Sequence, residues 1–159
     1  MVKLKPKQRT SFNPDRGPLL SVRFAVALLL IAAGIAWIAY YYIGVRAPEG
    51  FDPKTGQAYA ETGWKFMRDL DHWNYLIGFG LILLGLIVSA HRSTPLGRGR
   101  GVVVGMLGCF IIGLAWICVF YAVANGDSQP PVINDLGNKN LFVGVAFMAV
   151  GFSFATKWE

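Results

Sequence analysis

Four long apolar runs divide the chain, at residues 22–43, 73–90, 102–124 and 140–156, and polar segments separate them. Because an α-helix rises 1.5 Å per residue, about 20 apolar residues cross a hydrocarbon core of about 30 Å. The first and third runs reach that length. The second and fourth are shorter, but flanking side chains can extend to the membrane surface. The pattern predicts an all-α integral membrane protein with four transmembrane helices.

The two halves of the chain repeat one another. Residues 34–42 read GIAWIAYYY and residues 113–121 read GLAWICVFY, which aligns Trp37 with Trp116 at an offset of 79 residues. A second register has an offset of 66 residues and aligns Asp69, Asn74, Gly78 and Gly85 with Asp135, Asn140, Gly144 and Gly151. The first copy therefore carries 13 extra residues in its outer loop. The repeat predicts two parallel helical hairpins, related by an axis along the membrane normal.

These registers divide the chain into four parts. Residues 1–18 are a flexible basic cytoplasmic arm, and residues 19–92 form the first two-span repeat, with an outer loop at 44–72 that contains a short helix within 60–70. Residues 93–101 form a cytoplasmic turn. Residues 102–159 form the second two-span repeat.

Glycines recur on the predicted faces of the spans. Helices in lipid associate through close backbone approach, so small residues mark contact faces. The predicted packing glycines are Gly34, Gly78, Gly85, Gly113, Gly144 and Gly151. Tryptophans are enriched at membrane–water interfaces. The predicted interface anchors are Trp37, Trp73, Trp116 and Trp158. The glycine faces also leave self-association open.

The charges are distributed unevenly along a chain that is 54% hydrophobic and 15% charged, with a net charge of +6. Ten Lys/Arg residues lie on the side that holds both termini and the middle turn, whereas the two other loops hold five Lys/Arg and seven Asp/Glu. Lys and Arg accumulate in cytoplasmic segments, so both termini are predicted to be cytoplasmic. The basicity therefore reflects topology, and no nucleic-acid partner is predicted.

Two clusters of basic residues are candidate contacts for anionic lipid or an acidic partner. They lie in the N-terminal arm and in the middle turn, and comprise Lys3, Lys5, Lys7, Arg9, Arg92, Arg98 and Arg100.

The predicted spans contain almost no ionisable side chains. The second, third and fourth contain no Asp, Glu, Lys, Arg or His, and the first has only Arg23 at its edge. Ion-coupled carriers usually need an intramembrane charge, which disfavours transport. Cys109 and Cys118 lie nine residues apart on one helix, too far for a disulfide between them.

Polar groups near the second span allow two interpretations. Asp69, Asp71 and His72 could bind a cation at the outer surface, or form a polar helix start in which Asp lies near the positive end of the helix dipole. The second interpretation is favoured. His72 and His91 lie at opposite membrane faces and cannot together bind haem. No catalytic residue, cofactor or metal site is predicted.

The segments GLAWICVFYAV (residues 113–123) and INDLGNKNLFVGVAFMAVGFSFATKWE (residues 133–159) resemble the CrgA family of small actinobacterial cell-division membrane proteins. Gly151-Phe152 and Thr156-Lys157-Trp158 fit the family's ending. The first repeat fits at Gly34, Trp37, Trp73-Asn74 and Gly78-Phe79. In the first repeat, Ser89-Ala90-His91-Arg92 replaces the family's ending. In the second repeat, the family's tryptophan is missing and Lys139 stands at that position.

The resemblance implies a function. Family members usually have one two-span unit and act in septum formation, where they contact the tubulin-like ring protein FtsZ and septal peptidoglycan synthases. We therefore expect a non-enzymatic scaffold or regulator in the bacterial plasma membrane, enriched at the division septum. Its basic arm and turn would face the ring, and its spans and outer loops would face the synthases.

Two alternatives remain open from the residues. An accessory subunit of a respiratory or other membrane complex would also be small, glycine-packed and free of catalytic groups. A small exporter or channel is the second alternative, although the lack of intramembrane charge disfavours it.

Overall fold

The computed structural model describes residues 21–46, 54, 56–57, 63–123 and 130–157, and these contain helices and no strand. The helices are α1 (Val22–Tyr40), α2 (Lys65–Leu70), α3 (Trp73–Ser89), α4 (Arg100–Val123), α5 (Pro131–Leu136) and α6 (Lys139–Ala155). A π-helical segment, Tyr41–Val45, continues α1. The all-helical prediction is thus confirmed for the described residues. The arm at residues 1–18 lies outside them.

Two of the helices are long and apolar enough to cross a membrane. They are Val22–Val45, which joins α1 to its π-helical segment, and Arg100–Val123, each 24 residues long. Helices α3 and α6 are also apolar but have 17 residues each.

Capping and a π-helical segment define the two ends of the first long helix. The Ser21 hydroxyl accepts a hydrogen bond from the Phe24 amide at 3.2 Å and satisfies an N–H that the first turn leaves unpaired. At the other end, the π-helical segment buries Tyr41 and Val45. The phenol of Tyr41 donates to Asp71 Oδ1 at 3.2 Å. The segment is thereby fixed to the start of α3.

The helices pack as two pairs. Helix α1 packs along α3, and α4 packs along α6. The two pairs contact each other mainly through α3 and α6. One apolar cluster lies near the π-helical segment and contains Tyr41, Tyr75, Phe79, Val143 and Phe147, among others. A second cluster lies at the opposite end and contains Ala90, Val102, Cys109, Val150 and Phe154.

A short helix leads into each of α3 and α6, and the two junctions have the same geometry. Asp71 has φ 44° and ψ −131°, and Gly137 has φ 48° and ψ −130°. The Asn74 amide donates to the carbonyls of Met67 and Asp71, both at 2.7 Å. The Asn140 amide donates to Ile133 at 2.7 Å and to Gly137 at 2.8 Å. Each asparagine therefore ties a short helix to the long helix that follows it.

The helix expected within residues 60–70 is shorter than that range. In the structure α2 begins at Lys65, after an extended Trp64, and ends at Leu70. Residues 60–62 lie outside the described part of the chain.

Candidate interaction sites at the two ends of the bundle

One end of the bundle is basic. The start of α1, the end of α3, the start of α4 and the end of α6 meet there, and Arg23 Nη1 lies 2.9 Å from Nδ1 of His91. The basic residues at this end are Arg23, Arg92, Arg98, Arg100 and Lys157. The described residues at this end include no Asp or Glu.

The turn between α3 and α4 has a fixed backbone. Thr94 is fully buried, and its hydroxyl donates to the carbonyls of Ser89 and His91, the latter at 2.8 Å. The same hydroxyl accepts from the Gly97 amide at 3.1 Å. Arg92 and Arg98 flank Thr94 and are exposed and half-buried, respectively. The turn can therefore present guanidinium groups to an anionic surface from a defined scaffold.

The opposite end contains an ion pair between the two halves of the chain. Arg46 Nε donates to Asp135 Oδ2 at 2.5 Å, and Arg46 Nη2 donates to Asp135 Oδ1 at 2.9 Å. The Tyr75 hydroxyl also donates to Asp135 Oδ2, at 3.0 Å. The side chains of Arg46 and Asp135 are 15% and 3% exposed. This pair is thus shielded from water and makes several hydrogen bonds.

The polar residues before α3 contact one another. His72 Nδ1 lies 2.9 Å from Asp71 Oδ2, and His72 Nε2 lies 3.8 Å from Asp135 Oδ1. Asp69 is exposed. Within the described residues no group of three or more His, Cys, Asp or Glu side chains is placed to hold a metal ion. Asp71 and His72 lie instead in the polar junction that joins α2, α3 and α5.

The six predicted packing glycines lie at helix crossings. A Cβ added to Gly34 would lie 2.5 Å from the Gly78 carbonyl, and one added to Gly113 would lie 2.5 Å from the Gly144 carbonyl. Gly85 lies against Ala27 and Ile31 of α1. Gly151 lies against Met106 and Phe110 of α4. Each helix pair therefore brings two backbones into contact at its glycines.

The tryptophans occupy different environments. Trp73 is 60% exposed, and Lys139 Nζ lies 5.0 Å from the centre of its ring. Trp37 and Trp116 are half-buried, and the indole N–H of each is buried without a hydrogen-bond partner among the described residues. Trp158 and the arm residues Lys3, Lys5, Lys7 and Arg9 lie outside the described residues.

The two cysteines are both free thiols. Cys109 is buried and Cys118 is exposed.

Sequence reasoning did not assign roles to Arg46, Tyr75 or the two asparagines. The 66-residue register did align Asn74 with Asn140, which was a signal for an equivalent structural role. The pairing of Arg46 with Asp135 had no such signal, because the two residues lie 89 positions apart and in different repeats.

The duplicated glycine crossings and asparagine junctions agree with the comparison with known protein families. The family model described as cell division protein CrgA matches the chain twice, at residues 3–92 and 91–159. The chain belongs to the CrgA family. The two consecutive matches fit a tandem repeat of the CrgA unit.

Similar CrgA proteins occur in several actinobacteria. The cell division protein CrgA of Streptomyces avermitilis is 45% identical over 67 residues, which cover 42% of this chain and 75% of that protein. The Mycobacterium avium protein is 32% identical over 80 residues, covering 45% of this chain and 86% of the relative. The Corynebacterium efficiens protein is 31% identical over 65 residues, covering 40% of this chain and 53% of the relative. No solved structure gives a significant match.

The family assignment gives the broad function. CrgA is named as a cell division protein and not as an enzyme, so membership supports a role in cell division. The membrane-capable helices of this CrgA-family chain fit a membrane location.

Proposed function

We propose that this chain is a non-enzymatic membrane scaffold or regulator that coordinates FtsZ ring assembly with septal peptidoglycan synthesis. The observation that carries the proposal is the double match to the CrgA family, at residues 3–92 and 91–159. FtsZ and the septal synthases are the partners that the resemblance implies. A chain with two family units can hold two such contacts in one molecule.

The proposed membrane arrangement has four spans and cytoplasmic termini. Helices α3 and α6 have 17 residues each, which gives about 25 Å of helix, and the side chains of their first residues, Trp73 and Lys139, can reach the interface. The contact between Arg23 and His91 supports placing the start of α1 and the end of α3 at one membrane face. The excess of basic residues at that end favours the cytoplasmic side.

The two ends of the bundle would then have different tasks. On the cytoplasmic side, the arm at 1–18 and the turn at 93–101 would contact anionic lipid or an acidic surface of the ring. On the outer side, α2 and α5 would form the surface that faces the synthases, and the buried ion pair of Arg46 with Asp135 would hold the two repeats together behind it. The spans of the two repeats, 19–92 and 102–159, would connect these surfaces.

The test is a fluorescent fusion of the full chain in dividing actinobacterial cells. We expect enrichment at the septum. Replacing Arg92, Arg98 and Arg100 by Gln should reduce that enrichment, because it removes the cations of the turn. The matched control replaces the same three arginines by Lys, which keeps the positive charges and should leave the enrichment unchanged.

Uniform membrane staining of the unsubstituted chain would contradict the proposal. Co-purification with respiratory subunits in place of division proteins would instead favour the accessory-subunit alternative.

A further inference from the structure

The two repeats contact each other through two different faces. The first repeat uses Phe79, Leu83 and Leu86 of α3, which we call the front face. The Phe79 ring lies 5.2 Å from the Trp116 ring and 6.5 Å from the Phe147 ring. Leu83 and Leu86 pack against the cluster of Ala90, Val102, Cys109, Val150 and Phe154, in which all members except Ala90 belong to the second repeat.

The second repeat uses Trp116, Phe147 and Val150, which we call the back face. Trp116 lies on α4, and Phe147 and Val150 lie on α6. Phe147 and Val150 are 6% and 5% exposed. The back face is therefore covered by the first repeat.

Each repeat also carries the equivalent of the face that the other repeat uses. The registers of 79 and 66 residues place the back face of the first repeat at Trp37, Leu81 and Leu84, and the front face of the second repeat at Val145, Ala149 and Phe152. All three residues of this front face are exposed, Val145 and Phe152 by 48% and 63%. In the back face, Leu84 is 54% exposed, and Trp37 and Leu81 are half-buried. The internal contact is thus head-to-tail.

The polar contacts between the two repeats are asymmetric as well. Asp135 is buried against Arg46 and Tyr75 of the first repeat, whereas its equivalent Asp69 is exposed. A contact with internal two-fold symmetry would bury both carboxylates. A head-to-tail contact between like units leaves one unused face of each kind, so further units can be added.

A groove lies beside Trp37 of the back face. Ala33, Ala36, Trp37, Tyr40, Trp64 and Met67 line a groove of about 370 Å³ on the first repeat. In the second repeat, the positions equivalent to Trp37, Trp64 and Met67 are Trp116, Pro130 and Ile133. Those three residues line a groove that also contains Ile38 and Phe79 of the first repeat. Phe79 is the front-face residue that lines this groove of the second repeat.

We propose that a second copy of the chain docks here. The front face of the second repeat in one copy (Val145, Ala149, Phe152) packs against the back face of the first repeat in the next copy (Trp37, Leu81, Leu84). Repetition of this contact forms head-to-tail oligomers in the plane of the membrane. The inference rests on the four-span arrangement proposed above and is independent of the role in division.

The contact between copies is weaker than the internal one. The positions equivalent to Phe79 and Tyr75 are Val145 and Leu141, and the position equivalent to Arg46 is Asn125, which lies outside the described residues. The second repeat therefore offers Asp69 no arginine, and less aromatic area enters the groove. Helix association in lipid then depends on close packing, which Ala33 and Ala36 permit. The oligomers are reversible and depend on protein density.

Cross-linking of the full chain in liposomes tests the contact. The chain carries Cys118→Ala, because Cys118 is exposed, and keeps the buried Cys109. Chains with Leu81→Cys are mixed with chains with Val145→Cys and treated with a short bis-maleimide. Equivalent positions, Phe147 and Phe79, are in contact within the chain. We expect dimers from the mixture at least fivefold above those from either variant alone.

Matched variants separate docking from random collision. Val104→Cys, at a 63% exposed position of α4, should not cross-link with Val145→Cys. Ala36→Trp fills the groove and should lower cross-linking about tenfold, equivalent to about 1.4 kcal/mol. Ala25→Trp places the same side chain at another exposed position of α1 and should leave cross-linking unchanged.

Three results would overturn the proposal. They are no cross-linking at any protein-to-lipid ratio, equal cross-linking by Val104→Cys, and cross-linking of Leu81→Cys with itself. The first means that lipid covers both faces, and the last means a two-fold contact. Septal enrichment of the fluorescent fusion would remain unaffected by these results, so failure of this inference is distinguishable from failure of the proposed function.

Discussion

The guanidinium of Arg46 binds both carboxylate oxygens of Asp135 and joins the end of the first long helix to the short helix α5 of the other repeat. Tyr75 donates to the same carboxylate, and the Asp135 side chain is 3% exposed. A planar guanidinium matches a carboxylate at two points, which fixes orientation as well as distance. The relative position of the two repeats at this end of the bundle therefore depends on this pair.

Asp135→Ala is expected to destabilise the folded chain by about 3 kcal/mol, because it leaves a largely buried guanidinium without its partner. Asp69→Ala is the matched control, since Asp69 is the repeat equivalent and is exposed. It should have little effect. The measurement is the free energy of unfolding in mixed micelles, followed by tryptophan fluorescence. Equal losses from the two substitutions would contradict the role of the ion pair.

Gly34→Ala is expected to separate α1 from α3. The added Cβ would lie 2.5 Å from the Gly78 carbonyl, which belongs to the backbone and cannot move aside alone. Overpacking of this kind costs about 1–3 kcal/mol. Gly80→Ala is the control on α3, because nothing lies within 4 Å of a Cβ there. The same unfolding titration compares them, and a Gly34→Ala chain as stable as Gly80→Ala would be contrary to the structure.

Gly137→Ala is expected to strain the junction between α5 and α6. Gly137 has φ 48° and ψ −130°, a conformation that a side chain disfavours by about 1–3 kcal/mol. The control is Gly108→Ala on α4, where an added Cβ meets nothing within 4 Å and the backbone is helical. Limited proteolysis between α4 and α6 should accelerate for Gly137→Ala alone. Unchanged cleavage would show that the junction tolerates a side chain.

Asn74→Leu is expected to release α2 from α3. The amide donates to the carbonyls of Met67 and Asp71, and a leucine of similar size cannot replace those two bonds. Leaving buried carbonyls unpaired costs about 1–3 kcal/mol. Asn138→Leu is the control, since Asn138 is exposed at the equivalent junction. Hydrogen exchange of the amides in α2 measures the effect, and protection equal to that of the unsubstituted chain would count against it.

The sequence best predicted those features that depend on a single helix or on a single repeat. Apolar runs require helices in lipid, because every backbone group must be paired within its own segment. The four runs coincide with α1, α3, α4 and α6. The two repeat registers also predicted packing roles for four glycines, Gly34, Gly78, Gly113 and Gly144. In the structure they form two equivalent close crossings.

Contacts between the repeats were not predictable in the same way. The pairing of Arg46 with Asp135, and the choice of Phe79 over Val145 as the buried position, depend on how the two hairpins pack against each other. The repeat pattern treats Asp69 and Asp135 as equals, whereas the structure exposes one and buries the other. Periodicity within each copy contains no information about this difference.

Cysteine accessibility in intact cells tests the central claim that four spans carry the basic end to the cytosol. In a chain with Cys118→Ala, which keeps the buried Cys109, one added cysteine replaces Asp69, Asn138 or Arg92 in turn, all of them exposed. A membrane-impermeant maleimide should label positions 69 and 138 from outside. Position 92 should react only after the membrane is opened. Labelling of position 92 from outside, or of only one of the two outer positions, would contradict the account.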